Sequence, residues 1–126
     1  MNINFYLKRI VSAVTIFFVG CSSNLVISDE NNGSSLTVDI GKVIEVKLDG
    51  QISTGYSWEW VSNDSFTEAD VPKIILVDKM PGGHDITVFT LKAVKAGETK
   101  LFFKYHRKWE NKSKPEKEYS VDVIIK

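Results

Sequence analysis

The chain has 126 residues, of which 43% are hydrophobic and 25% are charged, and its 16 Lys and Arg side chains balance 16 Asp and Glu side chains. This length suits one domain, and the composition is too apolar for a disordered chain. The neutral balance excludes a generic nucleic-acid binder, which carries a basic excess. One cysteine and two histidines leave too little material for a disulfide framework or a metal centre. We therefore expect no nucleic-acid partner, no metal and no cofactor.

The N-terminal segment has the pattern of an export signal. A basic start that ends at Lys8-Arg9 precedes a short apolar run, Ile10–Val19, whereas a membrane-spanning helix needs roughly twenty residues. This order predicts a signal peptide over residues 1–20; the alternative is a buried core helix. The end of this run and the two residues after it, Phe18-Val19-Gly20-Cys21, are similar to a bacterial lipobox, with Phe18 where leucine is usual.

Lipidation of Cys21 would remove a free thiol that is a liability in an oxidising compartment. We therefore expect a lipoprotein anchored at the cell envelope or periplasm of a bacterium. The alternative is an ordinary signal peptide, a free cysteine near its cleavage site and a secreted protein.

The remainder of the chain divides into a tether and a domain. Residues 21–34 are mostly polar and are predicted to form a tether, although Leu25-Val26-Ile27 could be a short first strand. Residues 35–126 alternate apolar and polar side chains in short runs, which is the period of half-buried strands. About seven such strands, separated by turn signals, predict an all-β, immunoglobulin-like antiparallel β-sandwich. The predicted strands are Leu36–Ile40, Ile44–Asp49, Tyr56–Val61, Val71–Val77, Ile86–Ala93, Leu101–Tyr105 and Tyr119–Ile125.

Three connections between these strands have the composition of binding loops. Asp49–Tyr56 ends in small residues before an aromatic one, and Pro81–Asp85 contains paired glycines that allow positive φ and close backbone approach. His106–Pro115 places a tryptophan within a run of charge. In an immunoglobulin-type sandwich these connections emerge at one end, and adjacent loops on a rigid scaffold form a binding surface. Taken singly, each loop is also explained as a hairpin, a glycine turn or a tryptophan folded onto the sheet. No catalytic motif accompanies them, so we do not expect an enzyme.

In this order the three loops resemble those of the chagasin-type inhibitors of papain-like cysteine proteases. That family carries Asn-Pro-Thr-Thr-Gly and an aromatic residue in its first loop, a glycine-rich second loop, and Arg-Pro-Trp in its third. The corresponding stretches here are Gln51–Tyr56, Gly82-Gly83 and Arg107–Trp109. The resemblance covers nearly all of the predicted domain, from Leu36 to Lys126.

The resemblance implies a reversible, non-covalent inhibitor that inserts three adjacent loops into the active-site cleft of a papain-like protease. We expect the inhibitor domain to be monomeric and to meet a membrane only through the N-terminal lipid. The alternative is a surface-anchored immunoglobulin-like adhesion or ligand-binding module that uses the same loops. The implied protease-binding residues are Ser53, Thr54, Gly55 and Tyr56 in the first loop, Gly82, Gly83 and His84 in the second, and Arg107, Lys108 and Trp109 in the third.

Each loop has an implied role. Ser53-Thr54-Gly55 would lie nearest the catalytic cysteine, because small residues admit the backbone to a narrow cleft. Tyr56 would anchor the base of that loop, and Gly82-Gly83 would lie flat against one wall of the cleft. Trp109 would cover the other wall, and Arg107 would brace the loop or meet an acid of the protease.

Two departures from the family pattern affect the first and third loops. In the first loop, Gln51 and Ile52 stand where the family has Asn-Pro. In the third loop, Lys108 stands where the family has the proline of Arg-Pro-Trp. Because a proline ring presets φ, we expect both loops to be more mobile before binding, and Lys108 adds a charge to the third. Weaker or shifted specificity would follow.

Overall fold

The computed structural model of the protein describes residues 24–78, 82–110 and 114–126. The predicted signal peptide and Cys21 lie outside these residues. Two single turns of 3-10 helix, Asp29–Asn31 and Ile52–Thr54, lie between strands of the described part, and no helix there is long and apolar enough to cross a membrane. Within the described ranges the strands are β1 (Leu25–Ser28), β2 (Ser35–Val38), β3 (Val43–Gly50), β4 (Ser57–Val61), β5 (Phe66–Leu76), β6 (Asp85–Ala93), β7 (Gly97–His106) and β8 (Lys117–Ile125).

The strands form two four-stranded sheets that pack face to face. One sheet has the order β1-β3-β6-β5 and the other the order β2-β8-β7-β4. Neighbouring strands are antiparallel, except that β1 runs parallel to β3 and β2 runs parallel to β8. The predicted all-β, antiparallel sandwich is confirmed.

The core follows from the alternation of side chains along each strand. Successive side chains point to opposite faces of a sheet, so β3 turns Ile44, Val46 and Leu48 inward, and all three are fully buried. Strand β4 carries two tryptophans, Trp58 and Trp60. Trp58 is the buried one, and its Nε1–H donates to the carbonyl of Asp49 at 2.9 Å.

Strand β1 lies within the segment 21–34 that was predicted to be a tether. Leu25–Ser28 pairs with β3, and the Tyr119 hydroxyl donates to the carbonyl of Ser28 at 2.7 Å. Burial of this hydroxyl raises the pKa of Tyr119 to about 12. The short first strand that the sequence allowed is therefore present, and the described fold begins before residue 35.

The edge strand β5 begins earlier than the sequence indicated. It starts at Phe66 rather than at Val71, and beyond Phe66 its residues are exposed. An edge strand has a neighbour on one side only, so it tolerates Pro72. The pairing of β5 with β6 shifts register between Glu68 and Lys73, which is where the proline lies.

Candidate functional site

Three loops meet at one end of the sandwich, which we call the loop end. The first loop, Gln51–Tyr56, follows β3; the second, residues 77–84, follows β5; the third, residues 107–116, follows β7. Strands β3 and β5 run in the same direction because both are antiparallel to β6. Hydrogen bonds between the loops, described below, bring the third to the same place. The predicted grouping is therefore present.

The first loop is a closed turn of chain. The 3-10 turn Ile52–Thr54 ends at Gly55, whose N–H donates to the carbonyl of Ile52 at 3.0 Å. The Thr54 hydroxyl donates to the carbonyl of Gln51 at 2.6 Å. Gly55 has φ of 89°, a left-handed conformation that favours glycine. Ser53 and Thr54 are exposed, and because the Thr54 hydroxyl is engaged within the loop, the tip presents small side chains and backbone to solvent.

Two buried side chains hold the start of this loop from below. The N–H of Gln51 donates to the Tyr105 hydroxyl at 3.0 Å, and the N–H of Ile52 donates to Oδ2 of Asp85 at 2.6 Å. Tyr105 is 6% exposed and Asp85 is 2% exposed. The two residues that we expected to leave the loop mobile are thus each held through the backbone.

The second loop is joined to the first through Gln51. The side-chain amide of Gln51 donates to the carbonyl of Gly82 at 3.1 Å, and Gly82 has φ of 80°. His84 Nδ1 lies 3.3 Å from Oδ2 of Asp49, with both side chains about half exposed. Gly83, between Gly82 and His84, is partly buried. The predicted residues of the second loop therefore lie beside the first loop.

Arg107 joins the third loop to the first. Its Nε–H donates to the carbonyl of Thr54 at 3.1 Å, and its guanidinium carbon lies 4.4 Å from the centre of the Tyr56 ring. Its Nη1 lies 3.5 Å from Oε1 of Glu110. The Tyr56 ring stacks on Tyr105 at a centroid distance of 5.3 Å. In the protein alone, Arg107 is thus a brace, and Tyr56 lies at the base of the loop.

Trp109 covers the backbone of Gly55. A Cβ atom on Gly55 would collide with the six-membered ring of the Trp109 indole, so only glycine leaves room for the ring. Trp109 is nevertheless 71% exposed, and Lys108 beside it is exposed as well. Both residues border a groove of about 700 Å³ that opens between the edge strands β4 and β5. The loop end therefore presents a large aromatic surface whose position is fixed by its neighbour.

The chemistry of this end suits binding. In residues 24–78, 82–110 and 114–126, no group of three or more His, Cys, Asp or Glu side chains could hold a metal ion. What the loops offer instead is exposed backbone, small side chains, one tryptophan and the cations of Arg107 and Lys108. Such a set contacts another macromolecule over an area.

The sequence did not point to three of the residues that shape the site. In the sequence, Gln51 stands out only as a departure from the family pattern. Asp85 is the last residue of a predicted loop, and Tyr105 is the last residue of a predicted strand. Tyr105 occupies an inward position of β7, where a polar-tipped aromatic needs a hydrogen-bond partner, and this signal was available. For Asp85 no local pattern distinguishes a buried carboxylate from an ordinary loop acid.

A β-sandwich whose second and third loops are each bonded to the first at one end has the architecture of an immunoglobulin-like domain with adjacent loops that can form a binding surface. The family model described as "Chagasin family peptidase inhibitor I42" matches residues 37–123, which is most of the chain. The protein belongs to this family. It is therefore a peptidase inhibitor and not an enzyme, as expected from the sequence.

Solved structures share this fold. The cysteine protease inhibitor EhICP2 from Entamoeba histolytica is similar with a TM-score of 0.72 and 24% identity, covering 81% of this chain and 95% of that one. Amebosin is similar with a TM-score of 0.69 and 19% identity, covering 83% and 100%. The Leishmania mexicana inhibitor ICP gives a TM-score of 0.52 and 25% identity, covering 75% and 90%. No curated protein matches the chain by sequence.

Proposed function

We propose that this peptidase inhibitor blocks papain-like cysteine proteases reversibly and without a covalent bond, by inserting its three loops into the active-site cleft. The observation that carries the proposal is the bonding of the loops to one another within a member of an inhibitor family. Gln51 links the first loop to Gly82, Arg107 links the third loop to Thr54, and Trp109 lies over Gly55. A surface whose parts are held together before binding loses little entropy when it binds.

The first loop supplies the part that approaches the catalytic cysteine. Its tip, Ser53 to Gly55, projects small and mostly exposed residues, so the backbone enters a narrow cleft. The tip is a 3-10 turn closed by its own hydrogen bonds, whereas cleavage requires a peptide bond aligned with the attacking nucleophile. The turn therefore fills the cleft without presenting an aligned peptide bond, which explains how such an inhibitor survives its target.

Trp109 supplies the largest contact. Its side chain is 71% exposed in the free protein, and tryptophan is among the residues most enriched at the energetic centres of interfaces. Because the ring lies over Gly55 and Arg107 bonds to Thr54, the start of the third loop is held and the ring is presented in one place. Lys108 adds an exposed positive charge beside it, which favours proteases with an acidic group at that edge of the cleft.

The proposal extends to the cellular location. We infer a monomeric domain held by a lipid on Cys21 in a bacterial envelope, from the signal-like order of the first residues. Leu25 pairs with Ile44 near the start of β3, and the end of β3 at Gly50 leads into the first loop. The start of β1 is thus opposite the loop end, and the chain from Cys21 to Leu25 reaches at most ~14 Å. A lipid there would hold the loops facing away from the membrane.

An inhibition titration tests the function. The purified domain is titrated against several papain-like proteases with a small chromogenic peptide, and activity is followed again after dilution. Competitive inhibition that reverses on dilution is expected. Absence of inhibition of every protease at micromolar protein would favour the adhesion or ligand-binding module. The mass of the mature N-terminus tests lipidation separately, since an acylated Cys21 and a free one differ by the mass of the lipid.

A further inference from the structure

Asp85 is a buried acid directly beneath the first loop. It is the first residue of β6, pairs with Gly50 across the sheet and is 2% exposed. A Cβ atom on Gly50 would lie 3.4 Å from Oδ1 of Asp85 and 3.3 Å from the Tyr105 ring, so the carboxylate and the ring both pack close to this glycine. The other oxygen, Oδ2, accepts the N–H of Ile52 at 2.6 Å.

The Asp85 carboxylate and the Ile52 N–H each supply the hydrogen-bond partner that the other lacks. A carboxylate withdrawn from water is unfavourable unless hydrogen bonds replace its hydration. Ile52 begins the 3-10 turn, and a backbone N–H at the start of a helical turn has no partner within that turn. A hydrogen bond from an N–H to an ionised oxygen is short and about twice as strong as one between neutral groups. The pair therefore fixes where the turn begins.

We propose that Asp85 is a positioning residue for inhibition, whose buried carboxylate holds the first loop in the conformation that enters the protease. The proposal rests on the proposed function of that loop. Tyr105 assists by accepting the neighbouring N–H of Gln51, so two consecutive backbone donors are held from below.

This role gives the first loop a restraint at the position where the family pattern has a proline. A proline ring restricts φ but has no N–H, whereas Ile52 leaves φ free and offers an N–H that Asp85 accepts. The hydrogen bond at this point replaces the covalent restraint. It follows that a proline at position 52 and an acid at position 85 are poorly matched, because the acid would then lack this donor.

Reciprocal substitutions test the pairing. Ile52→Pro suits the start of a 3-10 turn but removes the donor, and Asp85→Leu removes the acceptor while it keeps the branched shape of the side chain. We expect each single variant to weaken inhibition of a papain-like protease at least tenfold, mainly through slower association. The double variant Ile52→Pro/Asp85→Leu is expected to inhibit at least fivefold more tightly than either single variant.

Asp85→Asn provides the conservative comparison, because its amide oxygen still accepts the Ile52 N–H. We expect it to recover most of the inhibition that Asp85→Leu loses. An Asp85→Leu variant that inhibits as well as the natural protein would overturn the proposal. So would equal losses in the Asn and Leu variants with no gain in the double variant, since Asp85 would then support the fold alone.

Amide hydrogen exchange in the free protein separates this inference from the proposed function. The Ile52 amide is expected to be protected in the natural protein and in Asp85→Asn, and to exchange at least tenfold faster in Asp85→Leu. This comparison needs no protease. If the natural protein inhibits no papain-like protease, the proposed function fails while the exchange data still judge the contact. Unchanged protection of Ile52 in Asp85→Leu overturns the inference whatever the inhibition data show.

Discussion

The two ends of the sandwich hold their loops in different ways. The far end consists of the short connections 39–42, 62–65 and 94–96. Most of its bonds join backbone to backbone, as where the N–H of Gly41 donates to the carbonyl of Ala93 at 2.8 Å. Backbone groups occur in every residue, so this end depends little on which side chains are present.

The loop end depends on particular side chains. Its connections are longer, and they are joined by the amide of Gln51, the carboxylate of Asp85, the hydroxyl of Tyr105 and the guanidinium of Arg107. A single substitution there removes a bond that joins or supports the loops. Changes at the loop end should therefore alter binding, whereas changes at the far end should alter stability alone.

Two glycines with the same backbone conformation give the largest expected contrast. Gly55 at the loop end has φ of 89° and Gly41 at the far end has φ of 92°, so alanine at either position is strained by ~1 to 2 kcal/mol. At Gly55 the new Cβ would also displace Trp109, whereas at Gly41 it meets no atom within 4 Å. We expect Gly55→Ala to weaken inhibition ~100-fold, about 2.7 kcal/mol, and Gly41→Ala to leave the inhibition constant unchanged.

Urea unfolding and inhibition titration of both variants provide the measurement. Both are expected to be less stable than the natural protein, which shows that the alanine strains each backbone. Equal inhibition constants for the two variants would contradict the division between the ends.

Trp109→Ala is expected to have the next largest effect. Removing this exposed ring should weaken inhibition by about 2 kcal/mol or more, roughly 30-fold. Since the ring is 71% exposed, the free energy of unfolding should change by less than ~0.5 kcal/mol. Val71, an apolar side chain on β5 that is 70% exposed, is the matched control, and Val71→Ala should change neither quantity. An unchanged inhibition constant for Trp109→Ala would refute the assignment of the third loop.

Arg107→Gln separates a brace from a direct contact. The substitution removes the guanidinium that bonds to Thr54 and lies over Tyr56, and we expect inhibition to weaken by about 1 kcal/mol, roughly fivefold. If Arg107 acts within the inhibitor, this loss persists at high salt. A loss that disappears in 1 M salt would instead indicate an acid on the protease, because salt screens exposed charges. Lys104 lies on β7, the strand that precedes Arg107, and Lys104→Gln is the control for a lost positive charge.

Much of the fold could be predicted because alternation is a local signal. One short run with alternating apolar residues predicts an inward face formed by Ile44, Val46 and Leu48, and all three are buried in the structure. The early start of β5 could not be found in this way, because its residues beyond Phe66 are all exposed and no apolar alternation marks an inward face. Likewise, the pairing of Leu25 with Ile44 depends on a parallel neighbour that lies outside its own sequence window.

The loop tips could be predicted, but the bonds that hold them could not. Gly55 lies among small residues before an aromatic one, and Trp109 lies within a run of charge. These local patterns indicate their loops from the sequence alone. The bond from Ile52 to Asp85 joins strands whose register places Gly50 opposite Asp85. Such a contact is set by the register of two strands, and no spacing in the sequence encodes it.

Substitution of Asn63 is expected to have the smallest effect on inhibition. It tests the difference between the two ends most strictly, because the Asn63 side chain forms hydrogen bonds that hold the far end together. Its Oδ1 accepts the N–H groups of Ser65 and Phe66 at 2.9 and 3.0 Å, and its Nδ2 donates to the carbonyl of Lys100 at 3.1 Å. Asn63→Ala should lower the free energy of unfolding by ~1 to 2 kcal/mol, because donors are left without partners. The inhibition constant should not change.

The neighbouring exposed pair supplies the control for that variant. Asp64 lies 3.2 Å from Lys95, and this contact lowers the pKa of the Asp64 carboxyl, yet an ion pair in open solvent contributes little to stability. Asp64→Ala should therefore leave the unfolding curve in place while Asn63→Ala shifts it. A weaker inhibition constant for Asn63→Ala would mean that strain at the start of β5 reaches the second loop at its other end, and the two ends would then no longer be independent.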